Sequence, residues 1–162
     1  MHFDYTEIDR YHSEFEESLR RIIPICSDPL RTGAFCSIGN EKGLVLVTFP
    51  LLLPPVEKWE KYHRLAGKKV WCLGQHPDHM FGRESMNSSL EEFGGAFRTA
   101  PYGANGLIIA VSGLPLVEED EAVGMYGFWQ INDVFLMSEP LRQNMRTNII
   151  CNQLCKQYHG FA

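Results

Sequence analysis

Thr32-Gly33-Ala34-Phe35-Cys36-Ser37-Ile38, then Gly39-Asn40-Glu41-Lys42-Gly43, then Leu44-Val45-Leu46-Val47-Thr48-Phe49 follow one another without interruption. Two runs rich in β-branched and aromatic residues flank a short polar connection of turn-forming types, a pattern that predicts a β-hairpin. The second run is apolar at nearly every position, so both of its faces should be covered and the strand should lie inside a sheet. The same pattern recurs downstream. Ala96–Thr99, the turn Tyr102-Gly103-Ala104-Asn105-Gly106 and Leu107–Val111 predict a second hairpin.

Helical patterns surround the two hairpins. Between Thr6 and Ile23, the residues Ile8, Tyr11, Phe15, Leu19 and Ile22 recur at steps of three and four and form one apolar stripe, which ends near Pro24. Pro54 and Pro55 open a second helix, because a first-turn N–H has no intrahelical partner to lose. Its inner stripe reads Val56, Trp59, His63, Ala66, Val70 and Leu73, weakened at Gly67. Gly74–Ser89 lacks periodicity and reads as a long connection. Pro115 leads into Val117–Val123, whose acids suit the positive end of a helix dipole and are read as structural. Phe128–Met137 suggests a further strand. Leu141–Tyr158, with Leu141, Met145, Ile149, Ile150 and Leu154, suggests a final helix. The expected order is α-ββ-α-ββ-α with a C-terminal helical extension. This is an α/β (α+β) fold with a central antiparallel sheet of about five strands and helices packed on it.

A chain of 162 residues with 44% hydrophobic and 22% charged residues is sized and composed for one domain with a real core, so one domain over 1–162 is expected. A net charge of −5 argues against a nonspecific phosphate-binding surface, and nucleic acid is not expected as a partner. The most apolar run, Leu44–Leu53, is broken by Thr48 and Pro50 and is far short of the roughly 20 residues that span a bilayer, so no membrane association is expected. The N-terminus lacks a secretory pattern, and a cytoplasmic protein is expected. Cys26, Cys36, Cys72, Cys151 and Cys155 form no CxxC pair and predict free, mostly buried thiols.

Three groups of side chains could carry chemistry. In His76-Pro77-Asp78-His79, two imidazoles and a carboxylate suit a transition metal, although Pro77 argues against helical presentation; His76 and His79 are the candidate metal ligands. His63 on the second stripe and His12 beside the first could each offer a neutral imidazole to heme iron. Ser85, Ser88, Ser89 and Ser112 lack a nucleophile elbow. Gly103–Gly106 lies between strands rather than before a helix, which leaves no phosphate cradle.

Phe93-Gly94-Gly95-Ala96-Phe97, then Val111-Ser112-Gly113-Leu114-Pro115, then Glu118-Glu119-Asp120-Glu121-Ala122 resemble, in order and spacing, the heme-binding and heme-degrading domains of the GlcG and HbpS type. The resemblance in organisation covers roughly residues 5–130, with the motif confined to about 93–123 and residues 131–162 left as an extension. It implies a heme- or tetrapyrrole-binding protein that assembles as a homo-oligomer, with heme as cofactor and heme breakdown as an associated activity. It transfers no iron ligand, so His12 and His63 rest on position and chemistry. Gly94, Gly95, Ser112, Gly113, Glu119 and Asp120 are read as architectural. Arg98 and Thr99 depart from the proline and aliphatic residue that many relatives carry after the glycine pair. The alternative is a noncatalytic oligomeric interaction or scaffold module, with the C-terminal extension covering a partner.

Overall fold

A computed structural model of the chain describes residues 3–85, 94–131 and 137–160. Helix α1, Ile8–Ile22, buries Tyr11, Phe15, Leu19 and Ile22, the stripe its periodicity predicts. Strands β1, Gly33–Asn40, and β2, Val45–Leu52, pair antiparallel. The turn between them is held by the Asn40 side chain, whose Oδ1 accepts from the backbone N–H of Lys42 and Leu44. Helix α2 spans Trp59–Gly74. Strands β3, Ala96–Arg98, and β4, Leu107–Ser112, form the second hairpin.

The sheet runs β2-β1-β4-β3 and is antiparallel throughout. Among the described residues it has four strands rather than five. The strand expected to be interior, Leu44–Phe49, is an edge: Leu44 and Val45 are exposed, whereas Phe49 and Leu51 are buried. It is β1 that lies inside, with buried side chains on both faces. Continuous hydrophobicity records how much of a strand is covered, not which neighbours pair with it.

Alternation along the strands divides the core in two. Ala34, Cys36, Ile38, Phe49, Leu51, Ile109 and Val111 join α1 and helix α3, Val117–Ile131, on one face. Ile108, Ala110 and Ala96 meet Val70 and Leu73 of α2 on the other. Each large apolar side chain taken from water in this way contributes about 1.5–3 kcal/mol. Helix α3 is buried on nearly every side from Glu119 to Phe128. A Cβ at Gly127 would stand 2.2 Å from Phe15 Cδ1, and one at Gly124 would stand 2.7 Å from Phe97 Cε1, so both glycines let α3 approach α1 and β3 closely.

That burial corrects a second expectation. Phe128–Ile131, read as the start of a strand, are the last turn of α3, because a helix covered all round loses its polar face and resembles a buried strand. The rest of the expected strand, up to residue 136, lies outside the described residues. The single final helix is two, α4 at Glu139–Thr147 and α5 at Ile149–His159. Asn148 between them is extended, and its Oδ1 caps α5 by accepting from Cys151 N at 3.0 Å. Leu141, Met145, Cys151 and Leu154 join the core with α3, so the extension covers this chain's own helix layer, packing on α3 and α1.

Candidate functional site

A cleft of about 890 Å³ opens where β1 begins and β4 ends, between α2 and the first turn of α3. Leu30, Leu65, Leu114 and Leu116 supply apolar wall, and Lys58, just before α2, and Lys61, in its first turn, supply positive charge beside the carboxylates of Glu57 and Glu118. Gly94, Ser112, Gly113 and Asp120 also line it, so much of the sequence motif converges here.

The inner end is a buried ion pair. Lys69 Nζ donates to Val111 O at 2.7 Å and stands 3.3 Å from Asp120 Oδ2, both side chains being almost fully buried. Asp120 Oδ1 accepts from Leu114 N at 3.0 Å. Desolvation pushes the Asp120 carboxyl up to about 6, against the opposing attraction of Lys69. Nearer the mouth, Arg31 Nη1 donates to the Tyr62 hydroxyl at 2.8 Å and to Gly113 O at 3.1 Å, while its Nε holds Asp28 at 3.0 Å. The guanidinium thus ties α2 to the Ser112-Gly113 turn.

The acids that open α3 do more than complement its dipole. Glu119 Oε1 accepts from Leu116 N at 3.1 Å, half of a capping box, and also from the Ser27 hydroxyl, while Oε2 accepts from Ser27 N. Glu121, with no exposed surface, pairs with Arg83 and accepts from Asn144 Nδ2 at 3.1 Å. Burial raises its pKa, with Arg83 opposing the shift. The N–H groups of Leu114 and Leu116 are therefore taken by the chain's own carboxylates.

Gly95 and Gly113 both have positive φ, +102° and +151°. A Cβ at Gly95 would lie 2.7 Å from Val111 O and 2.9 Å from Asp120 Cβ; one at Gly113 would lie 2.7 Å from Ala34 Cα. Phe93, the first residue of the motif, lies outside the described residues.

The histidines lie elsewhere. His12 packs its ring against Phe49 and places Nε2 2.8 Å from Pro50 O and 3.4 Å from Glu16, on the sheet face that carries α1. His63 sits on α2 across the sheet. Contrary to its place on the expected stripe, it is exposed, with its ring edge-on to Phe35 at 5.3 Å between centroids. The buried face of α2 runs instead through Leu65, Ala66, Lys69, Val70 and Leu73. His12 and His63 therefore occupy opposite faces of the sheet, and neither lines the cleft. His76 and His79 stand together in the loop that follows α2, with ring centroids 5.0 Å apart. All five cysteines are free and buried, and desolvation raises the pKa of Cys151.

Sequence reasoning missed Lys69, Tyr62 and Arg98. Lys69 had a signal, since it stands three residues after Ala66 and four before Leu73 on an otherwise apolar face. Arg98 had one too: a charged residue in a short apolar strand, at the position where the motif departs from its relatives.

No family model and no curated protein matches the sequence. Two solved structures are similar in shape. The crystal structure of a PduOC:heme complex superposes with a TM-score of 0.54 at 18% identity, covering 82% of this chain and 96% of that one. Klebsiella pneumoniae protein ORFY, of the DUF336 family, gives a TM-score of 0.39 at 13% identity over 70% of this chain and 84% of its own. The mixed antiparallel fold implied by the GlcG and HbpS resemblance is thus present, and it is the fold that this chain shares with the heme-complexed PduOC domain.

Proposed function

We propose that this chain binds heme or a related tetrapyrrole in the cleft between α2 and α3. The observation that carries the reading is the cleft itself: about 890 Å³, within the range of small-molecule sites, with leucine walls for a flat macrocycle and lysines for its carboxylates. The fold it shares with a heme-complexed domain supports the same reading. The donor set within the cleft fits iron through oxygen rather than imidazole. Tyr62 presents a phenol oxygen, held in place by a 2.8 Å hydrogen bond from the Arg31 guanidinium. Leu65, Leu114 and Leu116 would exclude water from the ring, and Lys58 and Lys61 would hold its propionates. Bound heme would supply a redox-active iron.

Hemin titration followed in the Soret region tests this. The expected result is a saturable shift, weakened by the double variant Lys58→Glu/Lys61→Glu and altered in band position by Tyr62→Phe. His63→Ala and His12→Ala leave it unchanged if the ligand is Tyr62; loss of the shift in either one transfers the iron to that histidine. No saturable shift, or one indifferent to every cleft variant, overturns the cleft as the site. Heme breakdown is read from the same sample with reductant and oxygen, as decay of the Soret band.

A scaffold role is the second reading. Leu44 and Val45 on the β2 edge and Trp59 and Trp71 on α2 are exposed apolar side chains of the kind that subunit contacts cover.

A further inference from the structure

We infer that His76, Asp78 and His79 form a binding site for a divalent transition-metal ion, separate from the cleft. One ligand atom from each residue lies within 4.8 Å of the other two. Ligands on a tetrahedral ion with bonds of about 2.0–2.1 Å stand roughly 3.3 Å apart, so side-chain rotations of an ångström or two complete the set. Asp78, with 82% of its side chain exposed, has the freedom to make that movement.

What distinguishes these residues from an ordinary polar loop is how firmly their backbone is held. His79 N donates to His76 O at 3.0 Å, closing a four-residue turn with Pro77 at its second position, where the fixed proline φ belongs. Both histidine carbonyls are then gripped from inside the protein. Arg98, only 1% exposed, donates from Nε to His79 O at 2.8 Å and from Nη2 to His76 O at 3.2 Å. The same guanidinium reaches Leu73 O at 2.8 Å and Glu41 O at 2.7 Å, fastening the turn to the end of α2 and to the β1–β2 connection. The imidazole rings are stacked, 6° between planes and 5.0 Å between centroids, so one ring must turn out of the stack for both to address a single ion, a side-chain rotation that leaves the clamped backbone in place. The two imidazoles suit Zn²⁺, Co²⁺, Ni²⁺ or Fe²⁺ rather than Ca²⁺ or Mg²⁺, and a carboxylate is a common third ligand for the same ions. Three protein ligands leave at least one position for water or an exogenous ligand, the arrangement of an open rather than a closed metal site.

The site stands at the carboxyl end of α2 and the cleft at its amino end. The cleft is lined by α2 only as far as Lys69, five residues or about 8 Å of helix short of its end at Gly74, and the two sites share no residue. Metal binding therefore neither requires nor reports on heme.

The test uses the metal-stripped full chain, titrated with Zn²⁺ by calorimetry and with Co²⁺ by absorption. One equivalent should bind, with a ligand-field spectrum that lacks a thiolate charge-transfer band, and the melting temperature should rise. Losing even an outer-shell partner of a metal ligand costs about ten- to hundredfold in affinity, so His76→Ala and His79→Ala should each weaken binding by about tenfold or more, and Asp78→Asn less. The metal-free melts of these variants should match the parent; His79→Gln replaces any that does not fold. Absence of saturable one-equivalent binding, binding unchanged in both histidine variants, or a thiolate band would each overturn the site.

Discussion

Replacing Gly95 with alanine should destabilise the domain through two additive causes that a second glycine allows to be separated. Gly95 has a φ of +102°, which costs an L-residue about 1–3 kcal/mol. The new methyl would also lie 2.7 Å from the backbone oxygen of Val111 and 2.9 Å from Asp120 Cβ, contacts that real Cβ atoms do not make. Neither neighbour is free to yield, since Val111 is within β4 and Asp120 is in the first turn of α3, and relieving such overpacking costs a further 1–3 kcal/mol or so. Gly103 has nearly the same φ, +97°, but a Cβ there meets nothing within 4 Å. Gly103→Ala therefore carries the conformational part alone. The two variants should differ by the packing part, about 1–3 kcal/mol, which for a chain of this size is roughly 2–12 °C in melting temperature. Differential scanning calorimetry at matched concentration measures it. A Gly95→Ala protein that melts with or above Gly103→Ala refutes the close-approach argument. One that keeps parental stability but loses hemin binding places Gly95 in the ligand site instead.

Asp120, with a carboxyl pKa raised from the ordinary 3.8 to about 6 by burial, holds its proton more tightly in the folded state. Its contribution to stability is therefore full below about pH 4 and lost as pH rises through about 6, by up to about 3 kcal/mol. Subtracting the pH–melting profile of Asp120→Asn from that of the parent should reveal this fall, and a flat difference would refute it. Arg98→Met removes the donor shared by four backbone carbonyls and should cost at least about 3 kcal/mol in urea denaturation, since hydrogen bonds from a charged group are worth about 1.5–3 kcal/mol each. A loss below about 1 kcal/mol would show that the carbonyls find other partners. Light scattering should give a dimer or larger species that Trp71→Glu dissociates, and a monomer at high concentration would sink the oligomer expectation.

The helices and hairpins were legible wherever a residue's role depends on near neighbours. The α1 stripe from Tyr11 to Ile22 and the turns at Asn40 and Gly103 follow from spacing and turn chemistry. What spacing does not carry is pairing. Nothing local to Leu44–Phe49 says that it is an edge, and nothing local to Phe128 says that its helix packs against α1, α5 and the sheet and so is apolar nearly all round. The break at Asn148 was visible only as a good capping residue inside an otherwise continuous pattern. The cleft was partly legible, because Gly94, Ser112, Gly113 and Asp120 belong to a recognisable motif. Its other side comes from Arg31, Tyr62 and Lys69, far away in sequence, whose meeting with the motif depends on which strand lies beside β1. His63 was misjudged because a stripe drawn from Val56 begins before the helix does: Val56–Lys58 form a separate short 3₁₀ turn.

The strand order also dictates how this chain must assemble itself. The β1–β2 hairpin joins neighbours across the Asn40–Leu44 turn and can close on the microsecond scale. The central seam, in contrast, matches Phe35 with Ser112 and Asn40 with Leu107, so its formation must wait for a long stretch of intervening polypeptide to be gathered in. During synthesis, the inner edge of β1 has no mate until the ribosome has released β4. A nascent chain halted before residue 107 would present that bare edge to other strands and to chaperones, and full-length refolding should be limited by this seam rather than by either hairpin.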